Sequence, residues 1–332
     1  MWRAYRQRVK GKNTMRTVVI PAGNLKVGQI CLGAVNFGKP LSQAESFRLM
    51  DEFVDHGGNF LDSARVYAAW LRGGANASEK TIGAWMQRRG NRDKIIVATK
   101  GGHPNLATMD QARLTPRDLR HDIEMSLKYL QTDVIDIYWL HRDDPLQPVG
   151  AILDMLQAHI RSGNIRAIAC SNWTADRIRA ASAYARQHQL SDFVANQFMW
   201  SAAEPNRATV ADKTIVIASE SDLAYHRETL LPAIPYTAQA RGFFSKLAAG
   251  NAQPANMVTF DNPINRRRFA HMQALSQQYE VSMSAIVLSY LTSQPFPVIP
   301  IISASTLEQL RDSLSSTELI LSPEDLTTLE AA

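Results

Sequence analysis

Four side chains in the first half of the chain have the types and spacing needed to move a proton. Asp62 and Tyr67 lie five residues apart, Lys100 follows the run Ile95–Thr99, and His141 follows Val134–Leu140. A phenol beside an ammonium is drawn toward phenolate, which lowers its pKa toward the range of a working acid or base. The ammonium needs a counter-charge, and Asp62 can supply it. A neutral imidazole at His141 can donate a hydrogen bond to a substrate oxygen and fix its direction. Each residue alone has an ordinary reading: a cap, a packed loop aromatic, a solvated strand end, a satisfied core polar group. Together they point to an acid–base site with a cationic partner, and by themselves they leave the reaction open.

Residues this far apart in sequence must be gathered by repeating elements. From Met15 onward short β-branched or apolar runs alternate with stretches of helical period. Thr17–Ile20 and Leu25–Val27 read as a small hairpin. Eight strand candidates follow: Ile30–Gly33, Asn59–Asp62, Ile95–Thr99, Val134–Leu140, Ile165–Cys170, Phe193–Gln197, Ala233–Tyr236 and Pro297–Ile301. Amphipathic segments separate them at 43–54, 79–88, 116–130, 149–161, 175–187 and 266–279. Only short helical turns, around 210–220, are expected between the sixth and seventh strands. Near-continuous apolar runs such as Val134–Leu140 fit strands buried on both faces, hence a parallel sheet covered by helices. Eight such units predict an α/β fold of the (β/α)8 TIM-barrel type with an N-terminal β-hairpin. An open doubly wound sheet would carry a glycine-rich phosphate turn, and neither G-x-G-x-x-G nor G-x-x-x-x-G-K-[ST] occurs. In a barrel, chemistry gathers at the carboxyl ends of the strands, where Asp62, Lys100 and His141 fall on three neighbours.

Composition narrows the field further. With 45% hydrophobic and 20% charged residues the 332-residue chain can bury a large core. No apolar run approaches the roughly 20 residues needed to cross a bilayer, so no membrane partner is expected. Of the net charge of +5, the first 14 residues supply all: Arg3, Arg6, Arg8, Lys10 and Lys12 stand there with no acid, and the remainder carries 31 charges of each sign. This reads as a basic N-terminal extension over 1–14, solvated or upstream of a start at Met15, before a single domain over 15–332. A neutral body gives no nucleic-acid face. Cys31 and Cys170 have no zinc-site spacing, no metal is expected, and two lone cysteines suit a reducing, cytoplasmic setting.

Three segments carry a resemblance. Gly57-Gly58-Asn59-Phe60-Leu61-Asp62-Ser63-Ala64-Arg65-Val66-Tyr67, Ile95-Ile96-Val97-Ala98-Thr99-Lys100-Gly101-Gly102 and the stretch Ser126 to His141 resemble the aldo-keto reductase family, in order and each ending at or just past one of the four residues. The resemblance runs from about Thr17 to Glu330. It implies an NAD(P)H-dependent carbonyl reductase with Asp62, Tyr67, Lys100 and His141 as catalytic tetrad and Tyr67 as proton donor. It also implies that Ser171, Asn172 and Gln197 hold the nicotinamide carboxamide, that Tyr236 stacks on the ring, and that Thr237, Gln239 and Arg241 cover the pyrophosphate. Ser303, Ser305, Gln309 and Ser313 then fall at the adenosine phosphate.

The segment after Pro300 lacks the cations many relatives aim at a 2′-phosphate, and its first is Arg311. NADPH is therefore expected from the family habit alone, and NADH stays open. The partner expected is a small carbonyl compound, with pocket aromatics sought at Phe37, Trp70 and Trp200. A regulatory or partner-associated cofactor-binding subunit is the alternative, disfavoured by the complete tetrad. A metal-dependent hydrolase or lyase is disfavoured because His141 has no histidine close by along its strand. Oligomeric state is not readable.

Overall fold

The computed structural model describes residues 15–20, 24–253 and 257–331. The basic segment 1–14 lies outside the described residues. The hairpin is present: β1 (Thr17–Ile20) pairs antiparallel with β2 (Leu25–Gly28). A second sheet of seven parallel strands follows, in the spatial order β8-β7-β6-β5-β4-β3-β9. Its members are β3 (Cys31–Gly33), β4 (Phe60–Asp62), β5 (Ile96–Gly101), β6 (Ile135–Leu140), β7 (Ile165–Ser171), β8 (Phe193–Gln197) and β9 (Ile301–Ile302).

Helices separate the strands: α1 (Gln43–Asp55), α2 (Ala77–Arg89), α3 (Pro116–Leu130), α4 (Val149–Arg161) and α5 (Ala175–His188). Hydroxyl caps fix several of their starts, among them Ser42 with its reciprocal Glu45, Thr115 and Thr174. Further on come α6 (Glu220–Thr229), α7 (Phe243–Ala248), α8 (Pro263–Tyr279), α9 (Met283–Thr292), α10 (Leu307–Leu314) and α11 (Pro323–Glu330). α9 escapes a periodicity search because residues 283–291 are buried all round it, so no polar face marks its period.

Two of the eight expected strands differ from expectation. Ala233–Tyr236 forms no ladder. It contributes single parallel bridges, Asn196 to Ala233 and Ala233 to Val298, and Pro297–Ile301 shifts to the two residues of β9. The cause is proline: Pro232, Pro235, Pro297 and Pro300 have no amide hydrogen, so alternate ladder bonds cannot form. Their carbonyls still accept, from Asn196, Ile301, Ala233 and Cys31 respectively, at 2.9–3.1 Å.

Side-chain alternation sorts the core into two layers. An inner cluster contains Phe60, Ala98, Ile137, Trp139, Ala167, Ala169 and Ala195, joined by Ile20, Leu25 and Val27 of the hairpin. Their strand neighbours Leu61, Val97, Tyr138, Leu140 and Ile168 face the helices in the larger outer cluster. Both faces are dry, which is why these strands read as unbroken apolar runs.

Candidate active site

Period-two alternation places the site. Asp62 stands two residues beyond inward-facing Phe60, Lys100 beyond Ala98, His141 beyond Trp139, Ser171 beyond Ala169 and Gln197 beyond Ala195. Each is the first polar side chain on the inner face as its strand reaches its carboxyl end, so five strands deliver five polar groups to one level.

They meet at bonding distance. The Lys100 Nζ donates to Asp62 Oδ2 at 2.5 Å, to the Ser63 carbonyl at 2.8 Å and to the Tyr67 hydroxyl at 2.9 Å. All three ammonium donors are therefore used. Gln197 Nε2 donates to the other Asp62 oxygen at 3.2 Å, and the Tyr67 hydroxyl lies 3.5 Å from Oδ2. Asp62 is 0% and Lys100 1% exposed, so the ion pair sits in a low-dielectric floor. The Tyr67 and His141 rings meet edge to face with centroids 6.2 Å apart.

Electrostatics corrects one expectation. Burial raises the Tyr67 phenol above its ordinary value, and the nearby Asp62 carboxylate adds to this, so together they outweigh the downward pull of Lys100. The phenol is thus held protonated. Burial alone would lower Lys100, yet Asp62 and Tyr67 hold it above its usual value and keep it cationic. For Asp62 burial prevails over Lys100 and raises the carboxyl. Burial, then the charges of Arg142, His103 and Lys100, push His141 well below the ordinary imidazole value, so it is neutral as expected. Its Nδ1 is buried without a partner among the described residues.

Above this floor opens a cleft of about 1390 Å³. That exceeds the ~300–1,000 Å³ usual for a drug-sized ligand, so an extended molecule fits. Tyr67, His141, Ser171, Asn172, Gln197 and Tyr236 line its inner end, and Thr237, Gln239, Arg241, Ser303, Gln309 and Ser313 line the outer. Asp62 and Lys100 lie beneath the wall rather than on it. Ser305 alone of the expected ligand contacts is not on the wall. It is exposed, with its amide donating to Gln309 Oε1 at 2.9 Å.

Several wall residues are committed to the protein. Asn172, at φ 61°, gives Nδ2 to the His141 carbonyl and Ser171, while its Oδ1 accepts from Val216 N and from the Tyr236 hydroxyl at 2.5 Å. Asn172 thus spends its amide holding neighbours in place. Gln239 Nε2 donates to Ser313 Oγ at 3.0 Å, linking the two walls. The loop that carries Gln239 turns through left-handed backbone at Thr237, Ala240, Arg241 and Gly242.

Sequence reasoning missed some participants. Arg142, Lys246, Glu308, Arg311 and Asp312 also line the cleft. A buried network also escaped it: Glu79, 0% exposed, accepts from Thr99 Oγ1 at 2.7 Å and from Arg65 Nη1 at 3.4 Å, while Arg65 N donates to the Lys100 carbonyl at 3.0 Å. It braces the loop that carries Tyr67. Conversely Phe37 and Trp200 are core residues, Trp200 stacking 5.9 Å from Phe296, and Trp70 is exposed. None of the three lines the cleft.

The aldo/keto reductase family profile matches residues 29–332. The chain belongs to that family. Among curated relatives it is 29% identical over 310 residues to the uncharacterized oxidoreductase YrpG of Bacillus subtilis, covering 92% of each chain. It is 27% identical to norsolorinic acid reductase stcV of Emericella nidulans over 94% of this chain and 80% of that one. It is 25% identical to an aryl-alcohol dehydrogenase of Pestalotiopsis microspora, with the same coverage. Among the described residues there is no helix long and apolar enough to cross a membrane, and no cluster of histidine, cysteine and acidic side chains suited to a metal.

Proposed function

We propose that this aldo/keto reductase reduces an aldehyde or ketone to an alcohol with NADH or NADPH, using Tyr67 as the proton donor. The observation that carries the reading is the Tyr67 hydroxyl held 2.9 Å from a buried Lys100 ammonium, with Tyr67 on the wall of a cleft large enough for a dinucleotide. When bound, the nicotinamide supplies a hydride to the carbonyl carbon. The chain does the rest. Tyr67, a protonated phenol whose burial keeps it so, gives its proton to the carbonyl oxygen. The phenolate left behind lies against Lys100, so the ammonium stabilises the charge as it develops more than it stabilises the starting phenol. Asp62 keeps that ammonium in place, and neutral His141 points the carbonyl.

Ser171 and Gln197 would hold the carboxamide, Tyr236 would face the ring, and Thr237, Gln239 and Arg241 would meet the phosphates. Residues 15–332 form one domain in this reading, with the parallel ring closed through Ala233 as a (β/α)8 barrel. The buried free thiols of Cys31 and Cys170 suit a cytoplasmic setting. The name of one relative, an aryl-alcohol dehydrogenase, favours aromatic carbonyls as first substrates.

The test is to supply cofactor deuterated at the transferring carbon with a panel of aromatic aldehydes, and to read the alcohols by mass spectrometry. One deuterium on the carbinol carbon is expected. Cofactor oxidation without label in the product, or no turnover despite tight binding, would overturn the reading, the second in favour of a cofactor-binding subunit.

A further inference from the structure

The two walls at the outer end of the cleft differ in charge, and that difference bears on which dinucleotide it takes. This inference rests on the reductase reading above. If the hydride is delivered beside Tyr67, the other end of the dinucleotide must extend to the outer end, where α10 forms one wall. Five polar or charged side chains of that helix line the cleft: Glu308, Gln309, Arg311, Asp312 and Ser313, the last already accepting from Gln239. Arg311 is the sole cation on α10.

Arg311 is already claimed. Its Nε donates to Glu52 Oε1 at 2.7 Å and its Nη2 to Oε2 at 3.0 Å, a two-pronged pair reaching across to α1. Glu52 is not on the cleft wall. Among the described residues the carboxylates of Glu308 and Asp312 on the same helix have no cation at salt-bridge distance. On the opposite wall Arg241 and Lys246 offer two positive charges, matching the two negative charges of a diphosphate, and the remaining cation of the cleft, Arg142, is paired with Asp212 at 2.9 Å.

The chemistry of a ribose end follows. A carboxylate accepts hydrogen bonds from free ribose hydroxyls, whereas a 2′-phosphate needs a guanidinium or ammonium and is repelled by a carboxylate. We propose that the Glu52–Arg311 clamp, together with Glu308 and Asp312, makes the chain prefer NADH over NADPH. Glu52 is the specificity-determining residue, because it withholds the one guanidinium that a 2′-phosphate would use.

The experiment is a titration of the full chain with NADH and with NADPH, followed by quenching of tryptophan fluorescence, and repeated with Glu52→Gln, Arg311→Ala and the double variant. Wild type is expected to bind NADH at least tenfold more tightly than NADPH. Glu52→Gln should tighten NADPH about fivefold, the scale of one exposed ion pair, and leave NADH unchanged. The double variant should lose that gain, since the effect acts through Arg311. NADPH binding as tightly as NADH or tighter in wild type overturns the proposal. So does a Glu52→Gln variant whose gain survives removal of Arg311. Binding of neither dinucleotide overturns the reductase reading beneath it, which a changed preference would leave intact.

Discussion

The floor of the cleft and its outer rim are both built around an ion pair between a carboxylate and a cation, yet the two pairs live in different solvents. Lys100 and Asp62 are 1% and 0% exposed, and every donor of the ammonium is used. The Arg311 side chain is 58% exposed, against 15% for Glu52. In the floor, charges act at full strength and cannot be released cheaply, which suits a group that must stabilise charge during a reaction. At the rim water and salt compete, which suits a contact that sorts ligands without anchoring the fold.

The contrast can be broken most forcefully at Lys100. Lys100→Met should lower kcat at least a hundredfold. It strands Asp62, so urea denaturation should show a loss of roughly 3–5 kcal/mol. A loss below 1 kcal/mol would mean that the floor is as wet as the rim. Next comes the brace behind the floor: Glu79→Ala leaves the buried Thr99 hydroxyl without its acceptor and removes one of the partners of Arg65, which keeps Asn76, and should cost about 2–3 kcal/mol. A drop in kcat with unchanged KM would accompany it if the brace also fixes the Tyr67 loop.

Acid should reveal the floor in a different way. Burial depresses His141, and likewise His103, His226 and His159, below the ordinary imidazole value. Below about pH 6.5 the unfolded chain therefore binds protons that the folded chain refuses, and stability falls as pH falls. The slope contributed by His141 is at most about 1.4 kcal/mol per pH unit, and His141→Gln should flatten the curve of unfolding free energy against pH between 6.5 and 5. The smallest effect belongs to the rim. Arg311→Ala should leave the urea unfolding midpoint almost unmoved, and any shift should shrink further in 0.5 M salt.

The same division governs what the sequence reveals. Asp62, Lys100 and His141 are legible as a set because they end buried runs on three neighbouring strands, although each alone has an ordinary reading. The structure brings them together with Tyr67 as expected. Ser171, Gln197 and Tyr236 come from the family resemblance, and all three line the cleft. The direction of the Tyr67 shift was not legible, since it depends on how much burial opposes Lys100, and burial is a property of the whole packing. Glu79 was hidden in the first turn of α2, where an acid normally faces solvent and the helix dipole accounts for it. Arg311 and Glu52 stand 259 residues apart, and no local pattern joins them. The strand expected at Ala233–Tyr236 has the apolar content of a strand, but its prolines remove the donors that a ladder needs.

The central claim is that the Tyr67 hydroxyl is the proton donor of a carbonyl reduction. Its most direct test is the single-turnover rate of Tyr67→Phe, measured alongside the dissociation constant for reduced cofactor by fluorescence quenching. A rate reduced on the order of 10²–10⁴-fold, with cofactor affinity unchanged, is the predicted result. A rate within a few-fold of wild type at equal affinity would contradict it and move the proton to another group.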